Sequence, residues 1–166
     1  MLFKGCGINI VTPFTDTNEV DFDSLGRLVD TYLKVGAQAI ILGRTSGEFY
    51  AMSDNEILEV VDFVVKRVNN KIPVLAQTGL NDTSRSVVLS IRARALGLDG
   101  LIIASPYYSQ GNELGLISHF KSIALAGGLP TYIDNDPART GFNLEPSLIA
   151  KLAEIPNIAG IIESSS

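Results

Sequence analysis

The sequence predicts an α/β protein, a (β/α)8 TIM-type barrel present as about six strand–helix units. Three observations lead there. First, apolar strand-like runs alternate with amphipathic helical runs along the whole 166-residue chain. Second, Ala39-Ile-Ile-Leu42, Val74-Leu-Ala76, Leu101-Ile-Ile-Ala104 and Ala159-Gly-Ile-Ile162 do not alternate polar with apolar residues. Strands apolar on both faces are buried on both faces, which means a parallel sheet under helices. Third, polar residues gather just after strand ends: Thr12, Thr45 and Ser46, Thr78, Tyr107 and Tyr108, Asn135 and Arg139, and Glu163. In a barrel those ends open on one mouth, where functional groups sit. A doubly wound open sheet also fits the element order. No Gly-x-Gly-x-x-Gly follows the first strand, however, so that fold's dinucleotide fingerprint is absent.

The elements follow in order. Residues 7–11 read as a strand. Residues 24–35 read as a helix with Leu25, Leu28, Val29, Tyr32 and Leu33 on one stripe, ended by Gly36. Ala39–Leu42 is the second strand. Ser53-Asp-Asn-Glu56 is a capping box opening a helix that runs to about Asn69. Residues 74–77 form the third strand, and Asp82 or Thr83 caps a helix ending near Leu96-Gly97. Residues 101–104 form the fourth strand, followed by a helix over about 114–126 and a fifth strand over 131–134. Pro146–Ala153 is a helix, and 158–162 the sixth strand.

Hydrophobic residues make up 46% and charged residues 19%, enough apolar material for a sizeable core in one domain. The 18 acidic and 13 basic residues give a net charge of -5, which argues against nucleic acid or an anionic membrane as partner. Cys6 is the only cysteine, so no intrachain disulfide and no cysteine-rich zinc site is expected, and it reads as a buried, inert thiol. The first 14 residues carry one lysine and no long apolar run, and no stretch is long enough to span a bilayer. A cytoplasmic location is the expectation. The sequence ends at Ser164-Ser165-Ser166, directly after a strand, leaving strands one and six as open edges. We expect a truncated or split chain; a complete six-stranded open sheet is the alternative.

Three loops carry candidate chemistry. Gly43-Arg-Thr-Ser-Gly-Glu48 follows the second strand, and its adjacent hydroxyls and flexible backbone N–H groups suit a small carboxylate. Ser105-Pro-Tyr-Tyr108 follows the fourth. A tyrosine there can pass protons or bind substrate, although packing accounts for one of the pair. Asp134-Asn-Asp-Pro-Ala-Arg-Thr-Gly141 follows the fifth. Arg139 either grips a carboxylate through two parallel hydrogen bonds or forms a salt bridge to Asp134 or Asp136. His119 lies mid-helix and reads as a surface or packing residue.

Together these motifs resemble the pyruvate-dependent class I lyases typified by dihydrodipicolinate synthase and N-acetylneuraminate lyase. The family's Gly-x-x-x-x-Thr-Pro-Phe opening resembles residues 7–14, and its Gly-Thr-Thr-Gly-Glu loop resembles residues 44–48. Its Ala-Gly-Thr-Gly resembles Ala76-Gln-Thr-Gly79, and its Thr-Pro-Tyr-Tyr resembles residues 105–108. Its Tyr-Asn-x-Pro-x-Arg-Thr-Gly resembles residues 134–141, and its Gly-Ile-Lys-Glu-x-Ser resembles residues 160–165. The resemblance implies a complete eight-stranded barrel with a C-terminal helical part, of which residues 1–166 are the N-terminal portion, assembled as a homo-oligomer, a dimer or tetramer. It implies pyruvate or a related 2-keto acid bound as a Schiff base on a strand-six lysine, with no further cofactor or metal. Thr45 and Ser46 would hold the pyruvate carboxylate. Tyr108 would join a proton relay reaching into a neighbouring subunit's site, and Arg139 would recognise the second substrate.

The departures fall on the chemistry. The lysine position is Ile162, and a Schiff base needs a primary amine. Lys4, Lys34, Lys66, Lys71, Lys121 and Lys151 are placed before the first strand or on helices and their ends, away from the mouth. The catalytic tyrosine position is Asp134, the first glycine of the strand-two loop is Arg44, and Gln77 replaces a small glycine. One reading is an impaired or altered lyase. Another is a metal-assisted lyase using Asp134, Asp136, Glu163 and Glu48 with magnesium or manganese. A third is a non-catalytic 2-keto-acid-binding or assembly paralogue.

Overall fold

The computed structural model describes residues 2–165. Six parallel strands lie side by side in chain order: β1 (Gly7–Asn9), β2 (Ala39–Leu42), β3 (Val74–Gly79), β4 (Gly100–Ala104), β5 (Thr131–Asn135) and β6 (Ile158–Glu163). A doubly wound sheet reverses its order partway along; this one never does, so the sheet curls in the sense of a barrel in progress. Helices α1 (Phe22–Lys34), α2 (Asp54–Val68), α3 (Thr83–Ala95), α4 (Glu113–Gly127) and α6 (Pro146–Ala153) connect the strands. The expected helix and strand bounds hold to within about two residues. The sequence reading missed α5 (Pro137–Thr140), a single turn opened by Pro137 and closed by Gly141 at φ 71°. One turn leaves too short a periodic signal to detect.

Local chemistry explains the helix starts. The Ser53 hydroxyl accepts from the Glu56 amide while the Glu56 carboxylate accepts from the Ser53 amide, the reciprocal capping expected from the sequence. Asp21, Asp82 and Asn112 cap α1, α3 and α4 in the same one-sided way. The outer faces of the strands pack under the helices in one large cluster around Ile40, Leu42, Val61 and Leu101, and a second around Ile103, Phe120, Ile133 and Leu152. The inner faces form a separate small cluster: Ala39, Leu75 and Ile102, with Phe3, Ile41, Tyr132 and Ile162 against them. Two apolar layers on either side of one sheet are what the unbroken apolar runs required.

Cys6 corrects an expectation: it is exposed. Its backbone is tied on both sides to Gln38, the Cys6 amide donating to the side-chain oxygen at 2.6 Å and the Cys6 carbonyl accepting from the Gln38 amide at 2.9 Å. That bend before β1 turns the thiol outward. Among the described residues no helix is long and apolar enough to cross a membrane.

His119 is the packing residue expected, 3% exposed in α4. Its Nδ1 lies 2.8 Å from the Thr83 hydroxyl, and its ring stands edge-on to Phe120. Burial pushes its pKa down from 6.5 to about 4. The unfolded chain therefore takes up a proton that the folded chain refuses, and stability falls as pH drops from 6.5 towards 4. We expect His119→Gln, which can keep the Thr83 contact, to remove up to about 3 kcal/mol of that pH dependence. Urea midpoints at neutral and acidic pH measure it; identical pH dependence in both chains would contradict the assignment.

Candidate active site

The strand-two loop is built by a sharp reversal. Gly43 has φ +80°, and a Cβ there would come within 2.0 Å of the Phe49 ring, so only glycine fits. Thr45–Gly47 then makes one 3-10 turn, in which the Gly47 and Glu48 amides donate to the Arg44 carbonyl. Thr12, just past β1, donates its hydroxyl to the Gly47 carbonyl at 2.7 Å and anchors the turn to the neighbouring strand. Glu48 ends it in the left-handed conformation at φ 58°, an uncommon and costly state for a residue with a side chain.

This loop aims Arg44 across the mouth at β5. The Arg44 Nε donates to Asp134 Oδ2 at 3.0 Å and Nη2 donates to Oδ1 at 2.7 Å, a two-pronged fork. The two side chains are 15% and 5% exposed. Burial raises the pKa of Asp134 above the ordinary carboxylate range, with Arg44 offsetting part of the rise. The sequence had singled out both residues as departures without pairing them; 90 positions separate them.

Ile162 is the register partner of Asp134 on β6. Its side chain packs in the inner cluster with Ile41 and Tyr132, so a residue at this position faces the barrel interior. All six lysines beyond it are exposed: Lys4 ahead of β1, Lys34, Lys66, Lys121 and Lys151 on helices, and Lys71 between α2 and β3.

Beside the ion pair opens a cavity of about 330 Å³ lined by Thr45, Glu48, Tyr50, Ala51, Tyr107, Arg139 and Thr140. Tyr50 and Tyr107 meet edge to face with ring centres 5.1 Å apart. Of the two expected tyrosines, then, Tyr107 packs into the mouth. Tyr108 points away, 96% exposed, with φ 69°. Arg139 stands exposed on α5 at the cavity edge and forms no ion pair among the described residues, so the expected alternative of a bridge to Asp134 or Asp136 is not realised. Ser46 is half-buried in the same turn as Thr45.

Tyr50 is the mouth residue that sequence reasoning missed. Its phenol is pushed upward in pKa, first by burial and then by the Asp134 charge. It accepts a hydrogen bond from the Gln77 side-chain amide. A polar aromatic next to a carboxylate-binding loop was the available signal.

The carboxylates proposed for a metal are dispersed. Asp134 is engaged by Arg44. Glu163 accepts two bonds from the Asn135 amide at 3.0 Å and one from the Ser165 backbone at 2.8 Å, which hold its pKa down at about 2. Among the described residues no group of three or more His, Cys, Asp or Glu side chains could hold a metal ion. The metal-assisted arrangement is therefore not assembled.

With this geometry in view, the relatives are informative. Residues 2–166 match the model of the Dihydrodipicolinate synthetase family. The 4-hydroxy-tetrahydrodipicolinate synthase of Caldicellulosiruptor bescii is 46% identical over 164 residues, covering 99% of this chain and 56% of that protein. The Staphylococcus epidermidis enzyme of the same name is 41% identical over 165 residues, again 56% of its length. The solved dihydrodipicolinate synthase of Aquifex aeolicus superposes with a TM-score of 0.94 at 36% identity, covering 98% of this chain and 56% of that one. The Acinetobacter baumannii enzyme, solved in complex with pyruvate, gives 0.93 at 37% identity, covering 97% and 55%. The chain thus spans a little over half the length of the relatives it matches, and it belongs to the Dihydrodipicolinate synthetase family.

Proposed function

We propose that the mouth binds a small 2-oxo acid of the pyruvate type without forming a Schiff base, in a family member whose lyase chemistry is impaired or altered. The observation that carries this reading is Ile162, an isoleucine facing the barrel interior beside Asp134 with every lysine out on the surface. Without an amine to condense with the ketone, the keto acid is held by hydrogen bonds and charge alone. Thr45 and Ser46 offer hydroxyls for one carboxylate, and Arg139 offers a cation at the cavity edge.

The pyruvate bound by the Acinetobacter baumannii relative supports the ligand class. Residues 1–166 would then be the N-terminal portion of one barrel domain. The exposure of Tyr108 leaves it free to enter the mouth of a second copy, the role the family resemblance implies for it.

Calorimetry with pyruvate tests the reading. We expect a binding isotherm in the micromolar to millimolar range, about 4–8 kcal/mol of binding free energy, with no turnover. Absence of binding at millimolar pyruvate would overturn it.

A further inference from the structure

The cavity beside the ion pair, about 330 Å³, is in the range that takes a drug-sized molecule and is far larger than a three-carbon acid fills. Its walls are uneven in character. Tyr50 and Ala51, in the turn after β2, and Tyr107, after β4, give it an apolar wall. The two tyrosine rings stand at 84° to each other with centres 5.1 Å apart, so a third ring laid parallel to one is edge-on to the other. Both arrangements are favoured between aromatic rings. The wall is held in advance: the Tyr50 hydroxyl accepts from the amide of Gln77, which is buried on β3, and a prepared surface loses less entropy when a ligand settles on it. Ala51, whose side chain is a single methyl group, leaves room against the rings. Charge sits on exposed side chains around them. Arg139 and Glu48 both line the cavity, and neither forms an ion pair among the described residues.

We infer that the mouth selects a 2-oxo acid carrying an aromatic ring, with the ring against Tyr50 and Tyr107 and the carboxylate on Arg139 and the Thr45 hydroxyl. Tyr107 and Ala51 are the specificity-determining residues, the first by offering a ring face and the second by leaving space beside it. Glu48 sharpens the choice: an anion on the same cavity repels a second carboxylate, so the part of the ligand beyond the oxo acid is uncharged. The ligand class is thus an aryl-substituted 2-oxo acid in preference to pyruvate or to a dicarboxylic 2-oxo acid. The inference rests on the 2-oxo-acid reading of the mouth.

The test compares pyruvate, phenylpyruvate and 2-oxoglutarate by calorimetry on the unaltered chain and on Ala51→Leu and Tyr107→Leu. The unaltered chain should bind phenylpyruvate roughly ten- to a hundredfold more tightly than pyruvate, the effect of burying most of one phenyl ring. It should bind 2-oxoglutarate no more tightly than pyruvate. Ala51→Leu fills the space beside the rings and should erase the preference for phenylpyruvate over pyruvate. Ala51 is exposed, so the larger side chain leaves the core untouched and this arm can be read even if Tyr107→Leu fails to fold. Tyr107→Leu keeps an apolar side chain, removes the ring face and should reduce the same ratio severalfold. Phenylpyruvate binding no more tightly than pyruvate in the unaltered chain would overturn the inference and leave the 2-oxo-acid reading standing. A preference that survives Ala51→Leu, or 2-oxoglutarate binding as tightly as phenylpyruvate, would also overturn it. Binding of none of the three acids would overturn both.

Discussion

Arg44→Ala is expected to destabilise the fold by about 3–5 kcal/mol, because it leaves the Asp134 carboxylate buried without its partner. Asp134→Ala should cost a comparable amount for the mirror-image reason. Removing both charges should cost far less than the sum. The fork geometry at 3.0 and 2.7 Å gives the pair its strength, but two charges in a site this dry also carry a large desolvation cost. Replacing both with apolar side chains of similar volume should therefore be close to neutral. Urea unfolding of the two single variants and the double closes the cycle. The pH dependence has a definite sign. Burial raises the pKa of Asp134 in the folded chain, so folding disfavours its ionisation. Its contribution is most favourable below the ordinary carboxylate pKa and declines as pH rises through the raised folded value. Asp134→Asn should remove that decline.

The second large effect concerns the missing amine. Ile162→Lys alone should trap little pyruvate on borohydride reduction. The new ammonium would sit on β6 directly opposite Asp134, its register partner on β5, and the carboxylate favours its charged, non-nucleophilic form. Each unit by which the amine's pKa rises removes about tenfold of the free amine. Arg44→Gly together with Asp134→Tyr takes away the carboxylate and opens the space the guanidinium fills. The triple variant should therefore trap at least roughly tenfold more adduct than the single one. Equal trapping by the two would mean that the ion pair does not govern chemistry at this position. Mass spectrometry after reduction reads the difference directly.

How much of this was visible in the sequence depends on the range of the signal. The capping box at Ser53, the Gly36 stop and the unbroken apolar strands are local, and they gave the helices, the strands and the parallel sheet to within a residue or two. The family motifs are also local runs, and they led to the right family. The Arg44–Asp134 fork was not legible, although both residues had drawn attention, because it depends on how β2 and β5 face each other around the barrel. The same holds for Arg139: of its two expected acidic partners, Asp134 is taken by Arg44 and Asp136 forms no ion pair with it among the described residues. Tyr107 and Tyr108 are adjacent and chemically identical; a positive φ at Tyr108 sends one ring into the mouth and the other out to solvent. Cys6 came out exposed because its bend is set by Gln38, 32 residues away. Tyr50 went unnoticed because no motif marks it, and only the fold brings it against Gln77.

In the proposed reading the mouth offers no amine to a 2-oxo acid. Incubating the unaltered chain with pyruvate and borohydride, then weighing it intact, tests that claim most directly. The mass should be unchanged under conditions where calorimetry shows pyruvate bound. A single reduced adduct on one lysine would contradict it, because it would place an amine at the site where the structure has Ile162.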